Sequence, residues 1–243
     1  MSQIEITHGG HSCIIVNTGK KVIGIDPWIS GPTTPESVKN LKALDYIFLT
    51  HGHSDHAGDT VSLAKKFGSK VYATYELAML LIKSGIPESQ VFPMNKGGGI
   101  EIDELNGFAC LTHAMHSNSF EINGENVYAG EACGVVLQVE GATLYHAGDT
   151  ALFGDMSIIG DMHEIDVVFI PIGDRFTMGP EEAALSLQLL NPKTVVPIHH
   201  STFPLLTGSV ESFAQCIEEL DIEVEIAALT PGEVFILEAS NEE

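Results

Sequence analysis

Positive charge is what this 243-residue chain has least of: lysine and arginine number 11 against 33 aspartates and glutamates, and Arg175 is the only arginine. A formal net charge of −22 discourages unspecific binding to nucleic acid or to an anionic membrane, because both need a positive face. Long apolar runs are also missing, and none approaches the ~20 residues of a membrane span. The opening residues, Met1-Ser2-Gln3-Ile4-Glu5, lack the basic and apolar regions of a signal peptide. Cys13, Cys110, Cys133 and Cys216 are scattered with no C-x-x-C pair, so neither a disulfide framework nor a thiolate zinc site is indicated. These absences point to a cytoplasmic protein with no nucleic-acid or membrane partner. No linker or low-complexity segment divides the sequence. Its length and its 44% hydrophobic content suit one domain over residues 1–243 with a full core.

What the chain does have is histidine in one dense stretch. Thr50-His51-Gly52-His53-Ser54-Asp55-His56 follows the apolar run Tyr46-Ile47-Phe48-Leu49, which reads as a buried strand, and precedes Ala57-Gly58-Asp59, where a helix is expected to begin. Three imidazoles and a carboxylate therefore share a strand-to-helix loop, and these are ligands that zinc and similar divalent metals prefer. His51 and His53 are two apart and point to one side in extended chain, while Asp55 and His56 lie beyond the bend and can face a second ion.

The remaining pattern alternates. Ile4 to Ile6, Cys13 to Val16 and Lys21 to Ile25 read as an opening β-meander that stops at Asp26-Pro27-Trp28. Thr60 to Phe67 and Glu76 to Lys83 read as helices around a strand at Lys70 to Ala73. From Gly97 a second β-rich block begins, with strands at Ile100 to Ile102, Phe108 to Thr112, Val135 to Val139 and Thr143 to Tyr145. Helices are expected near Met156 to Met162, Pro180 to Leu190 and Val210 to Leu220, with strands at Val167 to Pro171 and Thr194 to Ile198. Two halves, each strands first and then helices, predict an α+β fold of two β-sheets with helices on the outer faces. Three further candidates sit where a strand hands over to a loop: His116, Asp149 and His199. His113 competes with His116 after the same strand, and His200 competes with His199.

The motif T-H-x-H-x-D-H, followed in order by a histidine, an aspartate in a Gly-Asp setting and a last histidine after an apolar strand, resembles the metallo-β-lactamase superfamily along nearly the whole chain. His146-Ala147-Gly148-Asp149-Thr150, Pro171-Ile172-Gly173-Asp174 and His199-His200-Ser201-Thr202-Phe203-Pro204 resemble its stand-alone metal-dependent hydrolases related to L-ascorbate-6-phosphate lactonases. The resemblance implies a four-layer αβ/βα sandwich and two divalent ions, zinc first, with manganese or iron compatible. It implies that His51, His53 and His116 hold the first ion, that Asp55, His56 and His199 hold the second, and that Asp149 bridges them. Ser117 fits the family pattern and favours His116, and the strand-end position favours His199, with His200 lining the pocket. Asp26 reads either as a turn aspartate or, as in the resembled family, as a carboxylate supporting the metal loop.

The chemistry implied is hydrolysis of a small ester, lactone or phosphodiester by a metal-bridging hydroxide, because two ions ~3.5–4 Å apart bring the water pKa to near 7. Asp55 would orient that hydroxide, and His200 or His146 would protonate the leaving group. Two divalent cations, two carboxylates and a hydroxide leave roughly +1 at the centre, so an anionic small-molecule substrate is expected. Arg175 reads either as holding its anionic group or as one half of a surface ion pair, and His11 either as a residue at the cleft rim or as a structural histidine. His146, three residues before Asp149, reads first as a partner supporting the ligands and otherwise as a cleft residue. Other readings are an RNA-processing nuclease of the same superfamily, a di-iron redox protein and a non-catalytic metal-binding sensor. The sequence leaves open the substrate, the native metal and whether the chain forms an oligomer.

Overall fold

The structure is a computed structural model that describes residues 2–239. Its first half runs β1 (Ser2–Gly10), β2 (Cys13–Asn17), β3 (Val22–Ile25), α1 (Glu36–Lys39), β4 (Tyr46–Phe48), α2 (Ser54–Ala57), α3 (Thr60–Phe67), β5 (Lys70–Thr74), α4 (Tyr75–Lys83) and β6 (Val91–Met94). The second half runs β7 (Gly99–Ile102), β8 (Gly107–His113), β9 (Ser119–Ile122), β10 (Glu125–Tyr128), β11 (Cys133–Val139), β12 (Ala142–His146) and α5 (Met156–Met162). It continues through β13 (Val167–Pro171), α6 (Pro180–Leu190), β14 (Thr194–Ile198), α7 (Val210–Glu219), β15 (Glu225–Ile226) and β16 (Val234–Ala239).

Two seven-stranded sheets result, in the orders β16-β1-β2-β3-β4-β5-β6 and β15-β14-β13-β12-β11-β8-β7. Each starts antiparallel and turns parallel, from β3 onwards in the first sheet and from β12 onwards in the second. Parallel neighbours need crossovers, and the helices supply them on the outer faces. The period-two alternation shows why these runs are strands. Tyr46 and Phe48 of β4 point into the core between the sheets, while Ile47 packs with Leu63, Leu77 and Leu81 beneath α3 and α4. Val167 and Phe169 of β13 enter the same central core, and Val168 and Ile170 pack with Leu187 and Phe213 of α6 and α7. The expected α+β sandwich of two sheets covered by helices is the observed fold. Among the described residues no helix is long and apolar enough to cross a membrane.

Five strands, β6, β9, β10, β15 and β16, have no counterpart in the expected pattern. β6 contains Pro93, which is tolerated because β6 is a sheet edge. β16 pairs antiparallel with β1 from the other end of the chain, a contact no local pattern reveals. The hairpin β9–β10 belongs to neither sheet, yet its turn carries a hairpin signal: Asn123-Gly124, with φ of 54° and 81°, fits a two-residue turn with both residues left-handed.

Candidate metal centre

The carboxyl ends of β4, β8, β12 and β14, together with the β1–β2 turn, gather histidines and carboxylates at one end of the sandwich. After β4 the chain stays extended through His51 and His53 and then bends into the single turn of α2, which carries Asp55 and His56. Gly52 lies at this bend with no room for a side chain, since a Cβ would stand 2.8 Å from the Ser119 carbonyl oxygen. Gly148 has φ of 66° and a Cβ there would meet the Cys133 carbonyl oxygen at 2.6 Å, so glycine lets the chain turn Asp149 inward.

Asp149 is the centre of this convergence. Its Oδ2 lies 3.1 Å from His199 Nε2, 3.5 Å from His116 Nε2 and 3.9 Å from His51 Nε2, and its Oδ1 lies 3.3 Å from His56 Nε2. His51 Nε2 is 3.0 Å from His53 Nδ1. Among the described residues three groups of donor atoms form, one from His51, His53 and His116, one from His11, Asp55, His56 and His199, and behind these one from Asp26, His51 and His56. Every histidine and aspartate that the resemblance named as a ligand is therefore in the cluster, and His11 joins it, with Nε2 3.2 Å from Asp55 Oδ2.

A hydrogen-bonded frame behind the cluster fixes its tautomers. Thr50 donates its N–H to Asp26 Oδ1 at 2.8 Å and its hydroxyl to Asp26 Oδ2 at 2.5 Å. The Thr50 oxygen is then left to accept from His51 Nδ1–H at 2.9 Å, and His56 Nδ1–H donates to Asp26 Oδ2 at 2.8 Å. Both rings consequently turn Nε2 into the cleft. Asp26 braces the His51–His56 loop from behind, and it is fully buried. Asn118 is a second brace: its Oδ1 accepts the Gly52 N–H at 2.8 Å, and its Nδ2 donates to the carbonyls of Ala129 and Glu131. Sequence reasoning passed over Asn118 and gave Thr50 no role, because their roles come from contacts distant along the chain or from rotamers.

Burial lowers the pKa of His51 well below its ordinary value, and it lowers those of His53 and His116 as well, so all three are neutral imidazoles with lone pairs available. Burial also brings His11 down to about 4 despite the hydrogen bond to Asp55. His56 goes the other way. Its burial opposes a charge, but Asp149 and Asp26 outweigh that and hold it well above the ordinary histidine range. Burial would raise the Asp149 carboxyl, yet His199 and His56 hold it well below the carboxylate range.

Other expected site residues lie apart from this cluster. His113 is exposed, beside Lys96 and against Phe153, which leaves His116 as the convergent histidine after β8. His200 turns Nδ1 to Ser201 Oγ at 3.0 Å and is not among the converging groups, whereas His199 is. Of the two roles open to His146, the geometry fits the supporting one and not contact with substrate: it is fully buried, with Nε2 on the Ser12 carbonyl at 2.9 Å and Nδ1 accepting the Gly148 N–H at 3.1 Å. It orders the turn ahead of Asp149. Arg175 is exposed on the loop after β13, 5.6 Å from the Phe176 ring, and makes no ion pair among the described residues.

The donor set fits a divalent metal. His56 Nε2, Asp149 Oδ1 and His199 Nδ1 are buried and have no hydrogen-bond partner. Orphaned buried polar atoms are rare because each costs about 1–3 kcal/mol. A cation between them would satisfy His56 Nε2 and Asp149 Oδ1, and nitrogen and oxygen donors without thiolate suit zinc, manganese or iron.

Known proteins carry the same arrangement of chain. The profile of the beta-lactamase superfamily domain matches residues 14–200, a span that includes every converging residue except His11. A UPF0173 metal-dependent hydrolase of Anoxybacillus flavithermus is 47% identical over 217 residues, covering 88% of this chain and 94% of the relative. One from Pyrobaculum islandicum is 40% identical over 235 residues, covering 96% and 99%. The structure of Igni18, described as a novel metallo hydrolase from the hyperthermophilic archaeon Ignicoccus hospitalis, is similar at a TM-score of 0.86 and 32% identity over 98% of this chain and 100% of that one. The chain therefore belongs to the metallo-β-lactamase superfamily, among its metal-dependent hydrolases.

Proposed function

We propose that the protein is a dinuclear metal-dependent hydrolase of a small ester, lactone or phosphodiester. The observation that carries this reading is the convergence of two donor groups, His51, His53 and His116 on one side and Asp55, His56 and His199 on the other, around the buried carboxylate of Asp149. Asp149 would be shared, because its Oδ2 faces a histidine from each group. Bound metal supplies Lewis acidity and lowers the pKa of water to about 7, so no serine or cysteine nucleophile is needed.

The chain's own residues prepare that chemistry. Asp26 and Thr50 hold Nε2 of His51 and His56 toward the cleft, and His11 holds one oxygen of Asp55 while the other can accept a proton from an attacking water. Arg175, the only arginine and without an ion pair among the described residues, supports the reading of an anionic group on the substrate, because a guanidinium can bind one in bidentate fashion. All four cysteines are free thiols, in keeping with a reducing cytoplasmic setting. The test is elemental analysis of the purified protein with hydrolysis of generic phosphodiesters, esters and lactones before and after chelation. About two ions per chain and chelator-sensitive turnover support the proposal. Iron without hydrolysis would replace it with the redox reading.

A further inference from the structure

Beside the metal cluster lies a cavity of about 260 Å³ with two unlike walls. His53, Ser54 and Asp55 of the metal loop form one, and Ser119, Glu121 and Asn126 of the hairpin β9–β10 form the other. The hairpin is registered to the metal loop by Asn118, which binds Gly52 on one side and the hairpin's exit at Ala129 on the other. A group entering from the metal cluster thus meets hairpin side chains held at a fixed distance from it.

The lining is polar throughout and contains no lysine or arginine. Ser54, Glu121 and Asn126 are exposed to solvent at its rim and Ser119 is half-buried, and among the described residues none of the four side chains has a protein hydrogen-bond or ion-pair partner, so all four are open to a ligand. Of the two carboxylates, Asp55 is turned to His11 and to the donor cluster, so Glu121 is the one left facing the cavity. Three hydrogen-bond acceptors around a carboxylate complement a primary ammonium, which carries three donors and a positive charge. The field of a protein with formal charge −22 favours the same sign of ligand.

We infer that this cavity is a substrate subsite and that Glu121 selects substrates bearing a primary amino group on the hairpin side of the scissile bond. The inference rests on the reading of the cluster as a metal centre and adds the chemistry of the group beside it. Aminoalkyl esters or phosphoesters are then the class to which the enzyme is matched.

Calorimetry on the zinc-loaded protein tests it without turnover. The probes are 3-aminopropylphosphonate and its neutral-tailed isostere butylphosphonate, both anchored by a phosphonate. The wild type should bind the amino compound about tenfold or more tighter, the size expected of a charge-assisted hydrogen bond. In Glu121→Gln the preference should collapse to about twofold or less, since the general field of the protein is nearly unchanged. Glu125→Gln, on the same hairpin but outside the cavity lining, should keep the wild-type ratio. Equal binding of both probes to the wild type, or a preference that survives Glu121→Gln, overturns the subsite while leaving the metal centre intact. Failure of both phosphonates to bind overturns both readings.

Discussion

The two ends of the second sheet contrast in a way that cavity size would misjudge. The amino ends of β12, β13 and β14 border the larger space, about 650 Å³, against about 260 Å³ beside the metal loop. At that larger cavity the polar groups satisfy one another: Lys193 donates to Asp166 Oδ1 at 2.6 Å, and Asp166 Oδ2 accepts the Thr143 N–H at 2.8 Å. At the carboxyl ends the polar groups are buried, converge on Asp149 and leave atoms without partners. The lesson is that buried, unpaired and convergent donors mark a site better than volume does.

Breaking the convergence should have the largest effect. Asp149→Ala removes the carboxylate between both donor groups, and the expected outcome is loss of bound metal and of all chelator-sensitive hydrolysis, read by elemental analysis and turnover together. Asp26→Ala leaves every proposed ligand in place but frees the His56 ring and Thr50. Metal affinity should fall by about 10–100-fold, measured by competition with a chromogenic chelator.

The pH dependence of the metal-free protein sharpens the contrast. His51, His53 and His116 have folded pKa values below the ordinary 6.5, so their contribution is complete above about pH 6.5 and is lost as pH falls. His56 is raised, so its contribution is complete below about pH 6.5 and is lost as pH rises through its folded value. Melting temperature should therefore fall on both sides of an intermediate optimum in chelated protein. Metal loading requires neutral His56 and should remove the alkaline limb, releasing protons as it does. Melts of chelated and loaded protein from about pH 5 to about pH 9 check this, and an unchanged alkaline limb after loading would count against His56 as a ligand. The smallest effect belongs at the other end: Lys193→Ala should change stability by no more than about 1 kcal/mol and leave turnover unaltered, since its amine is largely exposed.

The candidate site was legible because most of its donor groups are compressed into His51 to His56, and because His116, Asp149 and His199 each follow an apolar strand. The two-sheet fold was legible from period-two burial in runs such as Tyr46 to Leu49 and Val167 to Pro171. What escaped depends on distant contacts. Asn118 looks like any loop asparagine until the chain brings Gly52 against it, and β16 is a strand only because β1 offers it an edge. The partner of His146 escaped for the same reason, since only the folded chain shows Ser12 occupying its ring. The hairpin β9–β10 was different: Asn123-Gly124 announced it in the sequence.

Metal stoichiometry tests the central claim most directly. Elemental analysis of wild type and Asp149→Ala, each purified without chelator and then supplied with zinc, should give about two ions per chain for the first and a clear deficit for the second. A wild-type protein that binds no metal and takes none up, or an Asp149→Ala variant that still holds the full complement, would contradict the account.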